Sequence, residues 1–244
     1  MPVLAVSVKP FHSPGRLQAI INENLSVEYT PDRKEFAELE KNLKSCLNQG
    51  VKVRFHGFFP EFEIGDADSS KANEAVRVHL ECLDAIKDLG EPFITFHSGL
   101  NQKIELNYDT LVENLSRIVE HGQSRGIRVA IENLKKGLTS DPEVLLDLSM
   151  QTNARITLDL GHAITSHAVV TGQFNVIEII DMFQDRLSEV HFYEKELDRH
   201  YPPKDLSILG PIMDRLLLTH CRWWTIELDD FNEVKDTVAL IHST

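Results

Sequence analysis

The stretch 154-ARITLDLGHA-163 decides how the rest of the chain is read. Ile156, Thr157 and Leu158 make a β-rich run that ends in Asp159, and Gly161 then turns the backbone so that His162 comes to lie beside it. A carboxylate and an imidazole three residues apart, where a strand breaks into a loop, can converge on one metal ion. Alone, such a pair is more often the decoration of a turn. Its weight comes from recurrence, because other strands along the chain also finish in His or Glu.

Working outward in both directions, short β runs alternate with longer stretches of helical period. Strands are expected at Val3 to Val8, Leu25 to Thr30, Val51 to His56, Pro92 to His97, Ile127 to Glu132, the opening stretch, Leu187 to Phe192 and Trp223 to Leu228. Helical spacing of apolar residues falls between them, as in Glu35 to Asn48, where Phe36, Leu39, Leu43 and Leu47 share a face ahead of Gly50. The segment from Gly57 to Ser70 is long for a connection and rich in Gly, Pro and acid, which suggests a lid or substrate loop. Eight such units of about 30 residues fit a single-domain (β/α)8 TIM barrel spanning 1–244, with its active site at the C-terminal ends of the strands. In a doubly wound open sheet the same strand ends would not face one another.

Composition narrows the chemistry. The chain has 244 residues, 42% hydrophobic and 26% charged, enough for one large core. No apolar run approaches the ~20 residues of a membrane span and the N-terminal MPVLAVSVKPF lacks a signal pattern, so the expectation is a soluble, cytoplasmic protein with no membrane partner. Cys46, Cys82 and Cys221 show no CxxC spacing, which indicates neither a disulfide framework nor a thiolate metal site. A net charge of −13 argues against a broad grip on nucleic acid, since backbone binding relies on Lys and Arg neutralising phosphates.

The barrel rule directs attention to the strand ends, which read His56, His97, Glu132, Asp159 with His162, His191 and Glu227. Imidazole and carboxylate without thiolate suit Zn²⁺ or Mn²⁺, with Mg²⁺ a poorer match as histidines accumulate. Ligands drawn from separate strands leave room for water or substrate, which favours a catalytic over a structural metal site. Glu132 and Glu227 could flank a substrate carbon, one removing a proton and the other returning it while the metal stabilises an enediolate. Lys135, Lys136, Lys195, Arg199 and Lys204 follow strand ends and could bind a substrate phosphate.

The ordered motifs IENL (131–134), LDLGH (158–162), VHF (190–192) and IEL (226–228) resemble the xylose isomerase-like TIM-barrel superfamily, from His56 to Glu227. That superfamily holds sugar isomerases, ketose 3-epimerases and the endonuclease IV group. By resemblance to the epimerases, Glu132, Asp159, His191 and Glu227 hold one metal, the two glutamates act as acid and base, and His162 touches substrate. By resemblance to endonuclease IV, His56, His97 and the pair Asp198 and His200 join those positions as ligands of a zinc cluster that cleaves phosphodiesters. Against the nuclease stand the closeness of Asp198-Arg199-His200 to His191, the Leu-Asp after Glu227, the short chain and the acidic surface. The expectation is therefore a metal-dependent isomerase or epimerase of a sugar or sugar phosphate, with Lys195 and Arg199 at the substrate. A zinc phosphodiesterase is the runner-up, and a metabolite-binding barrel without turnover the third reading.

Overall fold

A computed structural model describes residues 1–13 and 15–243. Eight parallel strands close into a barrel in the ring order β1 (Val3–Val8), β2 (Ser26–Tyr29), β3 (Val53–Gly57), β4 (Phe93–Phe96), β5 (Arg128–Glu132), β6 (Arg155–Asp159), β7 (Leu187–Phe192) and β10 (Trp223–Ile226), with β10 returning to β1. β8 (Lys195–Glu196) and β9 (His200–Tyr201) form a separate antiparallel hairpin. Helices follow the strands on the outside: α1 (Gly15–Asn22), α2 (Leu39–Asn48), α3 (Ser69–Ile86), α4 (Tyr108–Ser124), α5 (Pro142–Thr152), α6 (Leu160–Thr165), α7 (His167–Val170), α8 (Val176–Phe183), α9 (Leu209–Leu218) and α10 (Phe231–His242). Among the described residues no helix is long and apolar enough to cross a membrane.

The helix starts explain themselves chemically. Asp68, Asn107, Asp141 and Asp230 each accept a backbone N–H of the first turn, and Asn175 with Glu178 closes a capping box on α8. The aliphatic core lies between barrel and helices, where Leu43, Cys46, Leu83, Leu115, Ile118, Leu145 and Phe183 are buried. The barrel's own interior is more polar. Thr225 Oγ1 donates to Glu189 at 2.6 Å, Arg54 donates to the same carboxylate at 3.1 Å, and the Thr95 and Thr157 hydroxyls meet at 2.7 Å. Satisfying these groups against each other removes most of the cost of burying them and gives the mouth a rigid floor.

Two segments differ from the sequence reading. Asp159 does not lead into an open turn: it caps α6, accepting the His162 amide at 2.7 Å, because its oxygen is the right length from an otherwise unpaired N–H. The long segment after β3 is no free lid. Glu63 accepts from Ser98 Oγ at 2.6 Å and Gly99 N at 2.5 Å, and Asp66 pairs with Leu106, so the segment is tied to the loop after β4.

Candidate metal centre

The strand ends converge as a closed barrel requires. His56 is the penultimate residue of β3, His97 follows β4, Glu132 and Asp159 close β5 and β6, His191 lies in β7 and Glu227 follows β10; each is less than a tenth exposed. Glu132 is the meeting point. Its Oε2 lies 3.1 Å from His97 Nε2, 3.4 Å from His56 Nε2 and 3.3 Å from His191 Nδ1. His191 Nδ1 in turn faces Glu227 Oε2 at 3.4 Å and Asp159 Oδ2 at 3.8 Å. The Nε2 atoms of His56 and His97 approach to 3.3 Å.

These atoms do not satisfy each other. Among the described residues, the buried side-chain atoms that make no hydrogen bond include Glu132 Oε2, Asp159 Oδ2 and His191 Nδ1, three atoms aimed at one place. Leaving such groups unpaired in a protein interior costs about 1–3 kcal/mol each, more when charged, and a shared cation removes that cost. His56 with His97 and Glu132, and Asp159 with His191 and Glu227, are compact enough to hold an ion each. The donor set of imidazoles and carboxylates fits a divalent ion such as Zn²⁺ or Mn²⁺.

The surrounding polar groups aim these ligands. Asn133 donates to the Asp159 carbonyl at 3.0 Å and accepts its amide at 2.7 Å, locking the end of β6 against β5. His162 Nδ1 lies 2.9 Å from the Asn133 carbonyl and His200 Nδ1 lies 2.8 Å from the Glu227 carbonyl. A carbonyl only accepts, so both rings carry their proton on Nδ1 and present Nε2 outward. His162 Nε2 faces Glu196 Oε2 at 3.3 Å, and His162, Glu196 and His200 form a third compact ligand group at the rim. The Tyr193 ring stacks on His200 with centroids 4.0 Å apart.

The electrostatics couple the carboxylates to the imidazoles around them. Burial pushes Glu132 up, but the neighbouring charges of His191 and His97 outweigh it and hold the carboxyl well below its ordinary range. Burial pushes His191 down, while Glu132 and Glu28 hold it well above. Burial likewise opposes the charged form of His162, but Asp159 and Glu196 raise it to about 10. Lys9 Nζ sits 2.9 Å from Glu227 Oε1, so despite burial the pair favours a charged amine and an ionised carboxylate.

At the cluster opens a cavity of about 740 Å³, lined by His56, His97, Glu132, His162, His200 and Glu227 and also by Lys9, Phe11, Phe58, Leu100, Leu134, Lys135, Lys136 and Glu196. Of the residues singled out by sequence, Asp198 and the cations Arg199, Lys195 and Lys204 do not line it. Asp198 is exposed and accepts the Tyr201 hydroxyl at 2.8 Å; Arg199 makes a two-pronged pair with Glu233 on α10 at 2.7 and 2.8 Å; Lys195 is half-buried on the hairpin, near Glu194. The cause is strand pairing. Glu196 lies directly opposite His200 across the hairpin, so both side chains share one face, while Lys195 and Tyr201 pair in the neighbouring register position. Glu196 thus stands where the resemblance pointed to Asp198. Nothing in the sequence singles Glu196 out, whereas Glu28 stands inside the apolar strand β2 and Lys9 just after β1.

Fold and site define a TIM-barrel protein whose mouth gathers histidines and carboxylates suited to divalent cations. The chain belongs to the xylose isomerase-like TIM barrel family, whose profile matches residues 18–239. An uncharacterized protein of Methanocaldococcus jannaschii is 34% identical over 169 residues, covering 69% of this chain and 72% of that one. Among solved structures, a D-tagatose 3-epimerase-like protein superposes with a TM-score of 0.81 at 16% identity, over 100% of this chain and 96% of that one. Endonuclease IV from Thermus thermophilus superposes with a TM-score of 0.69 at 14% identity, over 100% of both chains. At these identities the likeness is one of fold.

Proposed function

We propose that this protein is a divalent-metal-dependent phosphodiesterase whose centre takes more than one ion. The observation that carries the reading is Glu132 Oε2, which is shared between the His56 and His97 nitrogens on one side and His191 on the other. Glu132 would be common to two ions, with His56 and His97 helping to hold one and Asp159, His191 and Glu227 the other. His162, Glu196 and His200 would hold a third at the rim. Bound there, divalent cations supply Lewis acidity toward phosphoryl oxygens and make water a nucleophile at neutral pH.

The chain's own residues supply the rest. Lys135 and Lys136 border the cavity, and Lys9 enters it paired with Glu227; in a protein whose net charge is −13 these cations favour a compact anion at that point over an extended polyanion. The substrate class is therefore a compact phosphodiester. Leu100, Leu134 and Phe58 wall the cavity with apolar surface, which excludes water and strengthens the charge interactions beneath. The fold is shared by endonuclease IV and by a D-tagatose 3-epimerase-like protein, so the choice between readings rests on the site.

A second reading is a sugar or sugar-phosphate isomerase or epimerase with a single ion. It is favoured by Glu132 and Glu227 lying 3.3 and 3.4 Å from the same atom, His191 Nδ1, so that two carboxylates could flank one substrate carbon. There Glu132 would take the proton and Glu227, charge-balanced by Lys9, would return it. The deciding experiment is elemental analysis of the untagged protein, followed by assays of bis(p-nitrophenyl) phosphate hydrolysis and of deuterium uptake into ketoses. Two or three ions with ester cleavage support the phosphodiesterase; one ion with solvent deuterium in the sugar supports the isomerase. Metal without either turnover would refute both.

A further inference from the structure

Glu28 lies outside the ligand groups invoked above, in the middle of β2 and wholly buried. Its register neighbour Arg54 does not neutralise it, since that guanidinium donates to Glu189 and packs over Phe93 and Trp223. Glu28 instead faces two imidazoles. Oε1 lies 3.0 Å from His191 Nε2, and Oε2, which makes no hydrogen bond, lies 3.7 Å from His56 Nδ1. An ionised carboxylate only accepts, so His191 carries a proton on Nε2 and points Nδ1 at Glu132, Asp159 and Glu227, where a cation would replace the second proton of the charged ring. His56 turns Nδ1 toward Glu28 without hydrogen-bonding it, and Nε2 toward Glu132 and His97. Each ring thus spans from Glu28 beneath to Glu132 above.

We propose that Glu28 is a positioning residue that fixes the tautomer of His191 by a hydrogen bond and orients His56 by its charge, and so couples the filling of the two ligand groups that share Glu132. The inference rests on reading the mouth as a metal centre. A carboxylate behind a ligand histidine orients the ring and raises its basicity, and loss of such a partner lowers metal affinity about 10- to 100-fold. The coupling is particular to this geometry. One buried carboxylate serves two histidines that belong to different groups, so weakening one group through Glu28 weakens the other.

The test compares zinc-loaded wild type with Glu28→Gln and Glu28→Leu. Zinc per chain is counted after dialysis, affinity is measured by competition with a chromophoric chelator, and histidine tautomers are read from long-range ¹H–¹⁵N spectra. Thermal melting of the metal-free forms establishes folding, and Glu28→Gln carries the comparison should Glu28→Leu not fold. In wild type, His191 is expected to be protonated on Nε2. Both variants are expected to lose zinc affinity at least tenfold at the two groups alike, with Glu28→Leu the weaker binder. Wild-type affinity in a folded variant overturns the proposal, as does loss at one group alone. Zinc on His191 Nε2 also overturns it, because Glu28, His56 and His191 would then be ligands in their own right. A wild type that binds no zinc removes the metal centre itself and is thereby distinguished from a failure of Glu28.

Discussion

Replacing Glu132 by Gln should disable two of the three ligand groups at once, because its Oε2 is within 3.4 Å of histidines from both. An ion held at about a thousand times its Kd stabilises a fold by roughly 4 kcal/mol. In a domain of this length each kcal/mol moves Tm by about 2–4 °C, so each filled group is worth roughly 8–16 °C. Glu227 belongs to one group, so Glu227→Gln should forfeit that amount once, and Glu132→Gln should forfeit it twice. The assay is thermal unfolding of each metal-free protein and of the same protein with excess zinc, the shift on loading being compared within each variant. That difference cancels the direct effect of the substitution on the apo fold. Zinc counts on the same samples tie the shift to occupancy. If Glu132→Gln keeps both the zinc count and the full shift, the shared carboxylate is not a shared ligand and the reasoning fails.

Four further outcomes follow from named contacts. Glu196→Gln should remove one ion per chain, whereas Asp198→Asn and Arg199→Gln should leave metal content and turnover unchanged, because those two side chains are engaged with Tyr201 and Glu233; elemental analysis decides. Lys9→Met should raise KM for an anionic substrate at least tenfold with a smaller change in kcat, as steady-state kinetics would reveal. Gly161→Ala should destabilise by about 1–3 kcal/mol in chemical denaturation, because the new methyl would overlap the Tyr193 ring that stacks on His200. His79 is buried against Phe59 and Phe96, and burial pushes its imidazole down to about 4. The unfolded chain takes up a proton near pH 6.5 while the folded one resists it, so this contribution is full above pH 6.5 and is lost as pH falls through about 4. Denaturation curves of wild type between pH 7 and 4 should therefore be steeper in pH than those of His79→Leu.

The sequence by itself determined the barrel. Eight apolar runs at regular spacing, each broken by turn residues and followed by a helical face, admit few other closed arrangements, and the last residue of each run names the mouth. His56, His97, Glu132, Asp159, His191 and Glu227 were legible for that reason, since a strand's end is a local property and the barrel brings all ends to one side. What the tertiary structure decided were relations between residues distant in sequence. Glu196 rather than Asp198 joins His200 because cross-strand pairing sets which hairpin side chains share a face. Glu132 lies between two histidine groups because β3 and β4 on one side and β7 on the other meet above it, which no linear spacing encodes. In the sequence Glu28 is an isolated polar residue of β2, yet its two oxygens face two imidazoles, because ring closure carries β7 and β3 near them. Strand order along the chain fixes which residues reach the mouth, and only closure in three dimensions fixes which atoms they share there.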